Sequence, residues 1–155
     1  MQSNLVFTAL CCVCILLSSY VVKADNQPSW SDNNIEPTIE NLYAYPLGKT
    51  KSEVVLFYNS TVPCENCSKA ITETKNLIAD KYPEQFEFYT INLAQYPAFK
   101  NFFNLFSPLS LVLIKIEDGA SLGYKKMENI QYKIEEPITY QQQIDEFINN
   151  FLIWS

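Results

Sequence analysis

The stretch that decides the fold runs Glu53-Val54-Val55-Leu56-Phe57-Tyr58, then Asn59-Ser60-Thr61-Val62-Pro63, then Cys64-Glu65-Asn66-Cys67. After Glu53 the first run is β-branched, aliphatic or aromatic without polar alternation, the pattern of a strand buried on both faces. The next run is turn chemistry. From Cys64 the period changes: Cys67, Ala70, Ile71, Thr74, Leu77 and Ile78 recur at helical spacing, and Pro83 stops them. Strand, turn and helix in succession place two cysteines where a helix leaves a buried strand. Unpaired N–H groups and the positive end of the helix dipole favour a thiolate there. On this reading Cys64 opens the helix as the exposed attacking thiol. Cys67, on the same face one turn further in, is the buried resolving thiol.

Working outward, Phe86–Asn92 reads as a second strand. Pro97 opens a helix with Phe99, Phe102, Phe103 and Phe106 on its apolar side. Leu109–Ile116 is a third strand, Glu117–Gly123 a polar turn, and Ile130–Ile134 an edge strand. Thr139 with Gln142 predicts a capping box, ahead of an apolar stripe of Tyr140, Ile144, Phe147, Ile148, Phe151 and Leu152. A short helix is expected around Thr38–Tyr43. Strands alternating with helices argue for an α/β layer fold with parallel strands at its centre. The domain is expected to span 46–155, behind a polar leader over 25–45.

Leu5 to Val22 is almost wholly apolar and gives way at Val22-Lys23-Ala24 to Asp25-Asn26-Gln27. Small residues at the first and third places before that step predict a signal peptide over 1–24, cut after Ala24; an uncut membrane anchor is the alternative. Cleavage removes Cys11, Cys12 and Cys14 and leaves Cys64 and Cys67. The expected location is the secretory-pathway lumen, the periplasm or the cell exterior, where disulfides form and persist.

Composition narrows the chemistry. The chain has 155 residues, 48% hydrophobic, with 3 Gly and a net charge of −6. That suits one globular domain. Every basic side chain is Lys, so an acidic surface without a guanidinium fork argues against nucleic-acid binding. His is absent, which excludes Ser-His, Cys-His and His-zinc chemistry. A lone Cys-x-x-Cys leaves open half a zinc site or two ordinary helix residues. Zinc wants four Cys or His ligands and finds two, so no metal is expected. Asn59-Ser60-Thr61 and Asn66-Cys67-Ser68 fit the glycosylation sequon, but a glycan there would block the cysteines, so chance occurrence is the reading preferred.

Strand, turn, Cys-x-x-Cys, helix, then strand, helix and a Pro-led strand resembles the thioredoxin superfamily over roughly residues 50 to 155. Ser107-Pro108-Leu109 stands where that family carries its cis-proline loop, and Ile91-Asn92-Leu93-Ala94-Gln95-Tyr96-Pro97 resembles the segment after its second core strand. The resemblance implies a thioredoxin-like central mixed sheet flanked by helices. It also implies a cis Ser107–Pro108 bond beside Cys64 and an exposed Ser107 backbone that pairs with a substrate peptide like an added strand. Two positions depart from the pattern. Tyr58 replaces the buried Asp that serves the second thiol, and Pro63 replaces the Trp before the first Cys. The long segment from Glu117 to Pro137 resembles the lumenal domain of oligosaccharyltransferase thioredoxin-like subunits and a group of small exported bacterial thioredoxin-like proteins.

The function expected is an exported thiol-disulfide oxidoreductase. A Cys64–Cys67 dithiol or disulfide would exchange with protein thiol and disulfide clients through a mixed disulfide, with Ser107 and Pro108 binding the client and no cofactor. The rival readings are a thioredoxin-fold binding module with little turnover, and an electron carrier for one dedicated partner.

Overall fold

The structure is a computed structural model that describes residues 36–44 and 48–154. The signal peptide expected over 1–24, and the leader as far as residue 35, lie outside the described residues. The elements in chain order are a wide helical turn Glu40–Ala44, β1 Ser52–Tyr58, α1 Cys67–Lys81, β2 Phe86–Asn92, α2 Ala98–Phe102, β3 Leu109–Glu117, β4 Ala120–Met127 and α3 Pro137–Leu152.

The four strands form one sheet in the order β2-β1-β3-β4. β1 and β2 run parallel, Ser52 opposite Phe86 through Tyr58 opposite Asn92. That direction follows from the α1 crossover, which returns the chain to the starting end of the sheet. The central pair β1–β3 is antiparallel, from Glu53 opposite Ile114 to Tyr58 opposite Leu109. The expected parallel centre is therefore half right. The segment from Leu93 to Pro108 leaves and re-enters the sheet at the same end, which forces β3 to run backward.

Val54 to Phe57 are fully buried because β1 is covered on both faces. Val54 and Leu56 pack with Ala70, Leu77 and Ile78 of α1 and Tyr140, Ile144 and Ile148 of α3. Val55 and Phe57 pack on the other face with Leu42, Phe99 and Phe103. Losing one such side chain to Ala costs about 2–5 kcal/mol. Leu42 is wholly buried in this second core, so the compact unit takes in residues expected to be leader.

Three boundaries differ from the expectations. The edge strand is β4 rather than Ile130–Ile134. Asp118 and Gly119 both take positive φ between the paired Glu117 and Ala120, a two-residue hairpin turn that sends the chain straight back along β3. α3 begins two residues before Thr139, at Pro137, whose fixed φ suits a first helical position, and no side-chain cap forms. α1 begins at Cys67 rather than Cys64, because Asn66 sits in the left-handed region at φ 62° and interrupts the helix. Among the described residues, no helix is long and apolar enough to cross a membrane.

Candidate functional site: a disulfide between two hollows

Topology gathers the site at one end of the sheet. β1 ends at Tyr58 opposite Leu109, the first residue of β3. One step further, the Asn59 N–H donates to the Pro108 carbonyl at 3.0 Å. The loop that leads to Cys64 is thereby tied to the loop that carries Pro108. Asn92, at the end of β2, holds the same turn: its Oδ1 accepts from the Ser60 N–H at 3.2 Å and its Nδ2 donates to the Ser60 hydroxyl at 2.9 Å.

Cys64 and Cys67 are joined in a disulfide, with their Cα atoms 5.5 Å apart. Both are half-buried, so the expected split into an exposed and a buried sulfur is not seen. Cys64 lies in the loop and Cys67 in the first turn of α1. The Ala70 N–H donates to the Asn66 carbonyl at 3.0 Å, the first hydrogen bond of α1.

Two hollows adjoin the disulfide. The first is a cleft of about 400 Å³ in which Cys64 faces Ser107, Pro108 and the segment Asn129–Lys133. The second, about 680 Å³, is lined by Tyr58 and the turn Asn59–Pro63, both cysteines, Ser68 and Ile71. Cys64 borders both hollows and Cys67 borders only the second.

The cleft thus brings together Cys64, Ser107 and Pro108, with two corrections. The described residues contain no cis peptide bond, so the Ser107–Pro108 bond is trans, the lower-energy isomer. Pro108 keeps its place near Cys64 through the Asn59 bond instead. Ser107 is also buried, at 8% exposure, rather than presented to solvent. Its hydroxyl donates to Asn129 Oδ1 at 3.0 Å and accepts from the Asn129 N–H at 2.9 Å. The Ser107 backbone N–H and C=O make no hydrogen bond among the described residues.

Sequence reasoning missed the second wall of the cleft. Asn129–Lys133 follow β4 and are stitched to the Pro108 loop by the Ser107–Asn129 pair. Glu128 adds a further tie, its Oε1 accepting from the Phe106 N–H at 3.2 Å. Asn66 Nδ2 reaches the Tyr132 carbonyl at 3.5 Å, joining this wall to the disulfide loop. The signal that finds it is Asp118-Gly119: a hairpin there moves the edge strand forward and leaves residues after Met127 to cover the cysteines. Phe106, which precedes Ser107, is 73% exposed rather than in the core with Phe99 and Phe103.

Among the described residues no group of three or more Cys, Asp or Glu could hold a metal ion. Tyr58, in place of a carboxylic acid, shares the second hollow with Cys67. Glu53 is buried at the far end of β1 beside Lys49, and burial pushes its carboxyl up to about 7.

A four-stranded mixed sheet with helices on both faces, a Cys-x-x-Cys disulfide where β1 hands over to α1, and a facing Pro-led strand define a thioredoxin-like architecture. A solved structure has the same fold. The Trx4 domain of ERdj5 matches with a TM-score of 0.55 at 15% identity, over 77% of this chain and 93% of that one. Weaker matches include chloroplastic thioredoxin z, at a TM-score of 0.46 and 15% identity over 70% of this chain and 88% of that one. Mitochondrial thioredoxin 3 from Saccharomyces cerevisiae gives 0.41 and 18% identity over 63% and 80%. No protein-family model and no curated protein sequence matches the chain. The chain has the thioredoxin-like fold.

Proposed function

We propose that this protein is an exported thiol-disulfide exchange protein that engages polypeptide clients at Cys64. The observation that carries the reading is that Cys64 borders the Pro108 cleft and Cys67 does not. A client thiolate entering the cleft attacks the Cys64 sulfur, the Cys64–Cys67 bond breaks, and Cys67 leaves as a thiolate. The resulting mixed disulfide is resolved by Cys67 attacking Cys64 in the reverse step, or by a second client thiol attacking the client sulfur. The free main chain of Ser107 suits pairing with an extended client. Export is supported by the apolar segment Leu5–Val22 ending in Val22-Lys23-Ala24.

The test is the Cys67→Ser variant of the full chain, offered a peptide with one activated disulfide. We expect a stable mixed disulfide at Cys64, seen as a mass shift on the peptide that carries Cys64 and reversed by dithiothreitol. A Cys64 that stays unmodified under native conditions would overturn the reading.

A second reading, a client-tethering module with little turnover, is favoured by one observation. Tyr58 gives Cys67 no carboxylate to relay its proton. Capture of the peptide without multiple turnovers in the wild-type protein would select it.

A further inference from the structure

We infer that Asn59 is a modification site that carries one N-linked oligosaccharide. The inference rests on the export reading above and goes beyond it. Asn59-Ser60-Thr61 and Asn66-Cys67-Ser68 both fit the glycosylation sequon, and sequence alone raises the same objection to each, that a glycan would block the cysteines. The structure separates the two sites.

Three observations favour Asn59. Ser60, Thr61, Val62 and Pro63 are all exposed, so the turn that follows Asn59 lies at the surface, where a bulky solvated group has room. The Asn59 Oδ1 accepts from the Thr61 N–H at 3.0 Å and from the Thr61 hydroxyl at 2.7 Å. These bonds span two residues and need no tertiary structure, so the chain can make them before it folds. They occupy the amide oxygen and leave Nδ2, the atom that takes the sugar, without a hydrogen bond among the described residues. Finally, the Asn59 main chain is tied to Pro108, yet none of Asn59, Ser60 and Thr61 lines the client cleft; all three line the second hollow instead. A glycan on Asn59 would cover the exposed Val62 side of that hollow and leave the cleft open.

Asn66 differs. Its Nδ2 donates to the Tyr132 carbonyl at 3.5 Å, so a glycan there would displace the Asn129–Lys133 wall. No bond joins its side chain to the Ser68 hydroxyl among the described residues, and the residue between them, Cys67, is half-buried in the disulfide.

The transfer balances with a lipid-diphosphate-linked oligosaccharide as donor. The Asn59 Nδ2 bonds to the anomeric carbon of the sugar. The bond from that carbon to the phosphate oxygen breaks, the lipid diphosphate leaves with the electron pair, and the amide gives one proton to the transferase. Nothing is oxidised or reduced. Such a donor belongs to a secretory-pathway lumen, which is the compartment this inference selects.

The experiment expresses the full chain, with its own N-terminal segment, in human cells and weighs the product before and after peptide:N-glycosidase F. The expected result is the loss of one oligosaccharide, with Asn59 converted to Asp in the sequenced peptide. Asn59→Gln should abolish the carbohydrate and Asn66→Gln should leave it in place. An Asn59 that stays unmodified overturns the inference, whether the chain is exported or retained, and so does carbohydrate that survives Asn59→Gln. The glycosylated Cys67→Ser protein should capture the activated peptide within threefold of the rate of its deglycosylated form. A larger gain on deglycosylation would show the glycan in the client's path and overturn its placement outside the cleft. Failure of both forms to capture the peptide would overturn the client reading and leave the modification site standing.

Discussion

The Asn59 N–H donates to the Pro108 carbonyl at 3.0 Å, one position beyond the last β1–β3 pair, Tyr58 with Leu109. This bond extends the central ladder into two loops and brings the approach to Cys64 alongside Pro108. The cleft is therefore a product of strand register. Moving β3 by one residue would flip its side chains to the opposite faces of the sheet and carry Pro108 away from its partner.

Ser107→Ala should weaken the wall without unfolding the core. The substitution removes both bonds to Asn129, one of them to a backbone N–H, and should cost about 1 kcal/mol. Urea denaturation measures that loss. Capture of the activated peptide by the Cys67→Ser background should slow several-fold, while reaction of Cys64 with iodoacetamide, which needs no wall, should stay within twofold.

Tyr58→Asp should restore a proton acceptor beside Cys67, since residue 58 lines the second hollow with it. Resolution of the Cys64 mixed disulfide is expected to speed up roughly tenfold, with a new dependence on pH below neutrality. Stopped-flow release of the peptide thiol checks this. A rate unchanged at all pH values would show that proton transfer does not limit resolution.

Glu53 should make stability fall with rising pH. Burial raises its carboxyl from 4.5 to about 7, against the opposing pull of Lys49, and its Oε2 has no hydrogen-bond partner. Below about pH 4.5 the folded and unfolded chains both hold the proton, and no penalty arises. Between there and about pH 7 the unfolded chain ionises first, so folding loses up to about 3 kcal/mol, at 1.36 kcal/mol per pH unit, and then levels off. Glu53→Gln should flatten that window in urea melts taken across it.

Gly123→Ala should lower the melting temperature. A Cβ at Gly123 would meet Trp154 Cη2 at 2.8 Å, too close without movement of the indole. That ring is held by Phe151, 5.7 Å away between centroids, and by the Lys125 ammonium at 4.9 Å. Overpacking of this kind costs about 1–3 kcal/mol. The double variant Gly123→Ala with Trp154→Ala should lose less than the two single losses combined, which thermal unfolding of all four proteins measures.

Much of this architecture was legible in the residues. The unalternating run Val54–Tyr58 names a strand covered on both faces, and the spacing of Ala70, Thr74, Leu77 and Ile78 names the helix that covers one of them. Cys64 and Pro108 are placed together only by the resemblance to the thioredoxin superfamily, not by any local pattern. The details that failed are set by single backbone angles. Asn66 in the left-handed region moves the start of α1 by three residues and exchanges which cysteine sits at the helix end. Asp118-Gly119, a pair well suited to a tight hairpin, carried the information for β4 and hence for the Asn129–Lys133 wall. The pairing of Ser107 with Asn129 and the burial of Leu42 are tertiary contacts, and no local pattern encodes them.

β1 has its titratable carboxylate near one end and its reactive sulfurs beyond the other. From Glu53 to Tyr58 the strand advances by roughly 16 Å, at about 3.3 Å per residue. On the proposed function, the pH dependence of folding set by Glu53 and Lys49 is therefore carried at a distance from the disulfide, so substitutions there should retune stability towards acid or alkali without touching the residues around Cys64 and Cys67.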